Sequence, residues 1–270
     1  MTVVDCGNAS AGVSSGAFRV AMARQGWIGF ERMVDRDLLE GLRDDLSLAQ
    51  VTCDRVRRAN GVAQDADGTM HHLLGQGESF LEFLAAVDLD AHVEGFFGGK
   101  FVLNSYGGVN NTRDASSYVG RVHRDLRSFS GHVPRMLNVL VMVDDFTAEN
   151  GATWLLSGSH LADARPAEEV FFAAAVRATG RAGDVLVFDS NLWHAAGRNE
   201  TDAPRRALTL TLTPPSIKPQ MDYVRVLGAE RVAAMSDRLR QVIGYHARIP
   251  ASLDDWYQPP EKRMYRPGQG

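Results

Sequence analysis

The stretch at residues 183–213, GDVLVFDSNLWHAAGRNETDAPRRALTLTLT, alternates short apolar runs with turn-forming residues. Runs of this length that are rich in β-branched residues and bounded by Gly, Asp, Asn or Pro are typical of strands. Asp189, Ser190 and Asn191 mark a tight turn after the first run. The stretch therefore predicts a strand, a turn, a second strand carrying His194, and a further strand that begins with two arginines.

Four other stretches have the same composition: KFVLNSY, YVGRVHRDL, RMLNVLVMVDDF and GATWLL. Because no long helix pattern separates them, they favour an antiparallel sandwich or barrel over a parallel sheet. Apolar residues spaced at three and four predict flanking helices at residues 17–30, 35–51, 78–99 and 228–245. We expect a mainly β fold with flanking α-helices in one domain, 1–270, with N-terminal helices at about 17–99, a β core at about 100–215 and a C-terminal helix and tail at about 216–270.

Composition restricts the classes of function. The 270 residues are 44% hydrophobic and 23% charged, with a formal net charge of -4. This balance predicts neither nucleic-acid binding nor attraction to anionic membranes. Two cysteines and an N-terminus without an apolar segment predict a cytoplasmic protein. We expect a small molecule as its partner, and either a monomer or a homodimer fits.

The tetrapeptide HRDL at residues 123–126 also opens the catalytic loop of protein kinases. A kinase further needs a glycine-rich loop, a lysine on a strand, a D-F-G triplet and an asparagine that ends the catalytic loop. The three lysines of this chain have no such context, D-F-G is absent, and Ser130 stands where the asparagine belongs. The sequence therefore excludes a kinase.

A metal site is the better interpretation of the same stretch. His123 and Asp125 end a predicted strand, where residues i and i+2 share a face and can reach one ion. With His194 they would form the two-histidine, one-carboxylate triad of non-haem Fe(II) oxygenases, which leaves room for a chelating cosubstrate such as 2-oxoglutarate and for O₂. Arg205 and Arg206 are candidates to clamp the distal carboxylate of that cosubstrate, a task that suits a bidentate arginine.

Three motifs in order resemble the phytanoyl-CoA dioxygenase family of Fe(II)/2-oxoglutarate oxygenases: VHRDL, DDFTAENGATWLLSGSH and GDVLVFDSNLWHAAGRNETDAPRRAL. The resemblance extends from about Trp27 to Tyr245. In the family an arginine follows the distal histidine by eleven residues, which selects Arg205 over Arg206. The strand pattern agrees, because Arg205 shares a small, polar face with alternate residues whereas Arg206 shares its face with leucines.

The resemblance implies a double-stranded β-helix, or jelly roll, with helices packed on one face. It implies Fe(II), 2-oxoglutarate and O₂ as cofactors, and hydroxylation of a small organic molecule in secondary metabolism. His123, Asp125 and His194 would be metal ligands and catalytic residues. Because related halogenases replace the carboxylate by a small residue, Asp125 argues against halogenation.

Other residues of the site are expected from the same resemblance. Family members often carry a hydroxyl two residues after the distal histidine, where this chain has Ala196. Thr153 or Asn104 would then help Arg205 to hold 2-oxoglutarate. The expected substrate contacts are His71, His72 and Arg127.

Two alternatives stay open at this point. A cupin-like metalloenzyme would keep the triad without using 2-oxoglutarate, and a non-catalytic binding protein would keep only the fold. For the jelly-roll metal centre itself, specificity should come from mobile segments that close over its mouth. The candidates are Ser105–Tyr118, the loop around His71 and the tail from Ile249.

Overall fold

The computed structural model describes residues 12–62, 68–114 and 118–263, together with the backbone of 3–5. Numbered along the chain, the strands of these residues form two sheets. Across the larger sheet the order is β2 (Trp27–Phe30), β8 (Val185–Asp189), β5 (Leu137–Met142), β10 (Arg205–Thr213), β4 (Val102–Asn111) and β3 (Thr69–Met70). Across the smaller sheet it is β1 (Val3–Asp5), β7 (Val176–Thr179), β6 (Thr153–Leu155) and β9 (His194–Ala195).

The two sheets pack face to face, as expected of a jelly roll. The neighbours in the six-stranded sheet are antiparallel. Its inner face contributes Leu140, Leu186 and Ala207 to an apolar cluster that also contains Leu155 and Ala178 of the smaller sheet. The mainly β, jelly-roll prediction is confirmed.

Helices cover the outer face of the larger sheet. The α-helices of the described residues are α1 (Ser15–Arg24), α2 (Arg36–Ala59), α3 (Glu78–Ala86), α4 (Asp90–Phe97), α5 (Glu168–Ala174), α6 (Tyr223–Leu227), α7 (Ala229–Ala233), α8 (Asp237–Val242) and α9 (Leu253–Trp256). The largest apolar cluster joins Phe18, Leu42 and Val242 of these helices to Val139 and Leu208 of the sheet. Helices from both ends of the chain therefore pack on one face, while α5 packs near the smaller sheet through Phe171.

Among the helices of the described ranges, none is both long enough and apolar enough to span a lipid bilayer.

The predicted helix at 17–30 is wrong in its second half. Helix α1 ends at Arg24, and Gly26 takes a left-handed backbone with φ of +81° that a helix cannot continue. Residues Trp27–Phe30 then pair with β8 at the edge of the sheet. The predicted helix at 228–245 is likewise two helices, α7 and α8, because Ser236 caps the second by accepting a hydrogen bond from Leu239.

Two other predictions around the site also need correction. The stretch Tyr118–Leu126 is a 3₁₀ turn followed by a single β-bridge at His123, not a strand. The proposed mobile loop Ser105–Tyr118 is strand β4 up to Asn111, paired along its length with β10. Residues 115–117 of that loop lie outside the described residues. Its glycines sit in a strand because they let β3 and β10 approach closely, and a Cβ on Gly107 would lie 2.8 Å from Thr209 Oγ1.

Candidate metal and cosubstrate site

His194 lies at the point where the chain has crossed from the larger sheet to the smaller one. The chain leaves the larger sheet at Asp189 and enters the smaller sheet at His194, which pairs with Leu155. The Asp189 carboxylate accepts a hydrogen bond of 2.8 Å from the backbone N–H of Asn191, which stabilises the predicted turn. Two backbone hydrogen bonds, of 3.0 and 2.8 Å, then join His194 to His123. The two histidines are therefore neighbours across a β-bridge, although His123 is on no regular strand.

Both imidazole rings are oriented by backbone carbonyls. His123 Nδ1 lies 2.7 Å from the carbonyl oxygen of Arg121, and His194 Nδ1 lies 2.9 Å from that of Leu192. Because a carbonyl only accepts, each Nδ1 carries the proton and each Nε2 keeps a free lone pair. Each Nε2 lies 3.7 Å from a carboxylate oxygen of Asp125. One ligand atom from each of the three residues lies within 4.8 Å of the others, so the donors converge on one point.

Asn138 holds the Asp125 carboxylate from the side. Its Nδ2 donates a hydrogen bond of 2.8 Å to Asp125 Oδ2. Asn138 is on the inner face of β5 and only 4% exposed. No motif of the sequence pointed to Asn138, although a lone amide within the apolar run RMLNVLVM is a usable signal.

The electrostatics of the triad favour a cation. Burial, followed by the neighbouring His123, lowers the pKa of His194 to about 4. His194 is therefore neutral near pH 7, as a metal ligand must be. Two imidazole nitrogens and one carboxylate form the donor set that non-haem Fe(II) prefers, so these residues fit that ion.

Arg205 presents an unpaired charge to the same cavity. Its side chain is 2% exposed, and its Nε and Nη2 are buried with no hydrogen-bond partner among the described residues. The guanidinium carbon lies 4.2 Å from the ring centroid of Phe146. Burial lowers the pKa of Arg205 to about 10, which leaves it positively charged at neutral pH. A buried cation without a partner is costly, so this geometry fits an anionic ligand.

The neighbouring Arg206 is already paired. Its Nε and Nη2 donate to the two carboxylate oxygens of Asp144, at 2.8 and 3.2 Å. Its side chain points to the opposite face of β10 from Arg205, as the alternation predicts. Of these two adjacent arginines, Arg205 is therefore the one available as a carboxylate clamp.

A cavity of about 400 Å³ between the sheets contains the triad and Arg205 in its walls. The small, polar face of β10 forms part of it through Ala207, Thr209 and Thr211. Ser105 Oγ lies 2.7 Å from Thr211 Oγ1 and continues this polar wall onto β4.

The structure brings some of the other predicted residues into this cavity and not others. Thr153, His71 and Arg127 line it. Asn104 does not, because it faces the other side of β4 and donates to the Lys218 carbonyl at 3.0 Å. His72 has a left-handed backbone with φ of +59° and its Nδ1 lies 3.3 Å from the Tyr223 hydroxyl, outside the lining. The structure therefore does not bring Asn104 and His72 to the lining of the cavity.

A jelly roll with two histidines, an aspartate and a buried arginine around one cavity defines the site of non-haem Fe(II)/2-oxoglutarate enzymes. Comparison with known families supports this class. A sequence model of the family Phytanoyl-CoA dioxygenase (PhyH) matches residues 22–207. The chain belongs to this family, and membership implies Fe(II), 2-oxoglutarate and O₂ as cofactors.

Curated relatives align with part of the chain. Uncharacterized protein Rv1501 of Mycobacterium tuberculosis is 41% identical over 149 residues, which are 55% of this chain and 54% of that protein. Dioxygenase cdmA of Talaromyces verruculosus is 34% identical over 117 residues, or 42% of this chain and 38% of that protein. The chain thus spans about half or less of the length of these relatives.

Solved structures share the fold. The non-heme alpha ketoglutarate dependent epimerase SnoN from nogalamycin biosynthesis has a TM-score of 0.58 at 16% identity, covering 74% of this chain and 80% of that one. AviO1 from Streptomyces viridochromogenes Tue57 has a TM-score of 0.56 at 21% identity, covering 77% and 99%. At these identities the likeness is one of fold.

Proposed function

We propose that this protein is an Fe(II)/2-oxoglutarate-dependent dioxygenase that hydroxylates a small organic molecule. The observation that carries the proposal is the buried, unpaired guanidinium of Arg205 in the same cavity as the His123, Asp125 and His194 donors. A metal triad alone fits many hydrolases and oxygenases. A buried cation aimed into the same cavity adds a second anchor, of the kind that a dicarboxylate cosubstrate needs.

The residues divide the task of binding between them. His123, Asp125 and His194 would hold Fe(II), and Asn138 would keep the Asp125 carboxylate in one orientation through its hydrogen bond. Arg205 would bind the distal carboxylate of 2-oxoglutarate. When bound, Fe(II) supplies O₂ activation, which couples oxidation of a substrate C–H bond to conversion of 2-oxoglutarate into succinate and CO₂.

The shape of the cavity supports the same assignment of roles. Thr153 is 4% exposed and lines the cavity together with Ala196, which supports a role for its hydroxyl in place of the one that position 196 lacks. Ala207 and Gly107 leave space along the cavity walls, where larger side chains would occupy the room that a cosubstrate needs.

Hydroxylation is the simplest outcome for this donor set, and two comparisons support an oxidative role in secondary metabolism. Relatives such as cdmA carry the name dioxygenase. SnoN and the carbocyclase SnoK both come from nogalamycin biosynthesis. Asp125 occupies the carboxylate position of the triad, which supports hydroxylation over halogenation.

Anaerobic titration separates the proposal from its alternatives. Adding Fe(II) and then 2-oxoglutarate to the full chain under argon should produce a metal-to-ligand charge-transfer band. A cupin-like metalloenzyme would bind iron without that band, and a non-catalytic binding protein would bind neither. The band should be lost in Arg205→Ala at 2-oxoglutarate concentrations that saturate the wild type, and its persistence there would contradict the clamp.

A further inference from the structure

The wall of the cavity contains one positively charged side chain whose charge is not balanced when Fe(II) and 2-oxoglutarate are bound. Apart from the metal ligands and Arg205, the ionisable side chains in its walls are His71, Tyr118, Arg124 and Arg127. Among the described lining residues, Asp125 is the one acid. The chain as a whole carries a net charge of -4, so this cationic lining is a local feature and not a property of the whole surface.

The positive charge of Arg124 is already balanced by an ion pair. Its Nη2 lies 2.6 Å from Asp163 Oδ1, and its side chain is 10% exposed. The guanidinium carbon lies 5.2 Å from the ring centroid of Trp193 and 5.5 Å from that of Phe129. Packing and ion pairing therefore hold this arginine in the wall, and it offers little charge to a ligand.

His71 and Tyr118 contribute no charge at neutral pH. Although His71 reaches solvent from the cavity wall, partial burial, followed by the neighbouring His72, lowers its pKa. Burial, followed by the charge of Asp125, raises the pKa of Tyr118. Both side chains are therefore neutral near pH 7 and can serve only as hydrogen-bonding groups.

Arg127 differs from all three. It is exposed, it lines the cavity, and it follows the metal ligand Asp125 by two residues. It has no ion pair or hydrogen bond with any residue in the described part of the chain. Its charge is available to whatever enters the cavity.

The charges in the cavity, counted with Fe(II) and 2-oxoglutarate bound, then define what Arg127 can bind. The two positive charges of Fe(II) and the one of Arg205 balance the single charge of Asp125 and the two of 2-oxoglutarate. We propose that the substrate is a small molecule with one negative charge, a carboxylate, and that Arg127 binds it at the cavity wall. This inference rests on the proposed function, since it assumes that 2-oxoglutarate occupies Arg205. A phosphate monoester carries about two negative charges at pH 7, more than Arg127 alone can balance.

Paired ligands test the charge directly without knowledge of the natural substrate. The full chain, loaded with Zn(II) and 2-oxoglutarate, would be mixed with benzoate, phenylacetate or 3-phenylpropionate, and separately with the primary amide of each. Ligand-observed NMR gives the affinities. Each acid should bind roughly tenfold more tightly than its amide, because a charge-assisted contact is about twice as strong as a neutral one.

Two arginine variants identify the residue that is responsible. In Arg127→Gln the preference for the acid should fall to within about twofold, whereas Arg127→Lys should retain most of it. Arg135→Gln is the matched control, because Arg135 is also exposed and lies outside the cavity lining. The preference of Arg135→Gln for the acid over the amide should equal that of the wild type.

The outcomes separate this inference from the proposed function. Binding of Zn(II) and 2-oxoglutarate is measured first, and its failure in the wild type would count against the proposed function. If both bind, the substrate inference is overturned when no acid binds, when acids and amides bind equally, or when Arg127→Gln keeps the full preference.

Discussion

The two faces of the six-stranded sheet have different roles, although they belong to the same strands: one packs against the helices and the other faces the second sheet and the cavity. On β10, alternate residues point outward into the helices and inward to the second sheet. The outward residues are Leu208, Leu210 and Leu212, and the inward ones are Arg205, Ala207, Thr209 and Thr211. The outer face of β10 is covered by helices and is apolar from Leu208 to Leu212, whereas part of the inner face opens into the cavity. Because the faces alternate residue by residue, stability and chemistry should be separable by single substitutions on one strand.

The largest expected effect is on the inner side, at the candidate metal ligands. His194→Ala removes one of three donors, so iron binding and succinate formation should fall by roughly 1,000-fold or more. The chain should stay folded, because His194 belongs to none of the apolar clusters that hold the two sheets together. His132→Ala is the control, because His132 is exposed and outside the cavity. Normal 2-oxoglutarate turnover by His194→Ala would end the assignment of the triad.

On the outer face the expected effect is on stability alone. Leu208 is 0% exposed within the large apolar cluster, so Leu208→Ala should lower the free energy of unfolding by about 2–5 kcal/mol. Urea denaturation measures this loss. The KM for 2-oxoglutarate of the folded fraction should stay unchanged. A raised KM with normal stability would show that the two faces are not separable.

The two adjacent arginines at the start of β10 allow the inner and outer faces to be compared at neighbouring residues. Arg205→Ala should raise the KM for 2-oxoglutarate by about 30- to 1,000-fold, the loss of a charge-assisted bidentate contact worth about 2–4 kcal/mol. Arg206→Ala should leave that KM unchanged and lower the melting temperature, because Arg206 pairs with Asp144. Steady-state kinetics with varied 2-oxoglutarate measures this KM in both variants. A larger KM effect at Arg206 would mean that the register of the strand is off by one residue.

The smallest expected effect is at Asn138, which touches the metal site only through Asp125. Asn138→Leu keeps the volume of the side chain and removes the hydrogen bond to the carboxylate. Iron affinity should fall by roughly 10- to 100-fold, as is usual for a residue that orients a ligand. Leu140→Met, a change on the same face of β5, is the control for packing. Equal iron affinities in wild type and Asn138→Leu would remove Asn138 from the site.

Much of the site is predictable from local sequence. Strands β8 and β10 follow from runs of β-branched residues, and the choice of Arg205 over Arg206 follows from side-chain alternation together with the family spacing. Asn104 shows the limit of that reasoning. It is polar and close to the site in sequence, but it alternates to the face of β4 that points away from the cavity. The register of one strand against its neighbours decides this, and composition does not show it.

The sequence by itself determined a mainly β fold and, through the family motifs, its jelly-roll form. It also indicated three candidate metal ligands and Arg205 as the candidate clamp, because each of these depends on a short-range period or spacing. Only the tertiary structure decided which of the remaining polar residues meet in the cavity. The Asn138 contact with Asp125 joins residues from different segments, and Trp27–Phe30 is a strand because β8 offers it an open edge. Arg124 and Arg127 look alike in sequence, and only the position of Asp163 gives Arg124 an ion pair, whereas Arg127 has none within the described ranges. Such differences arise from long-range contacts, whose partners no local pattern specifies.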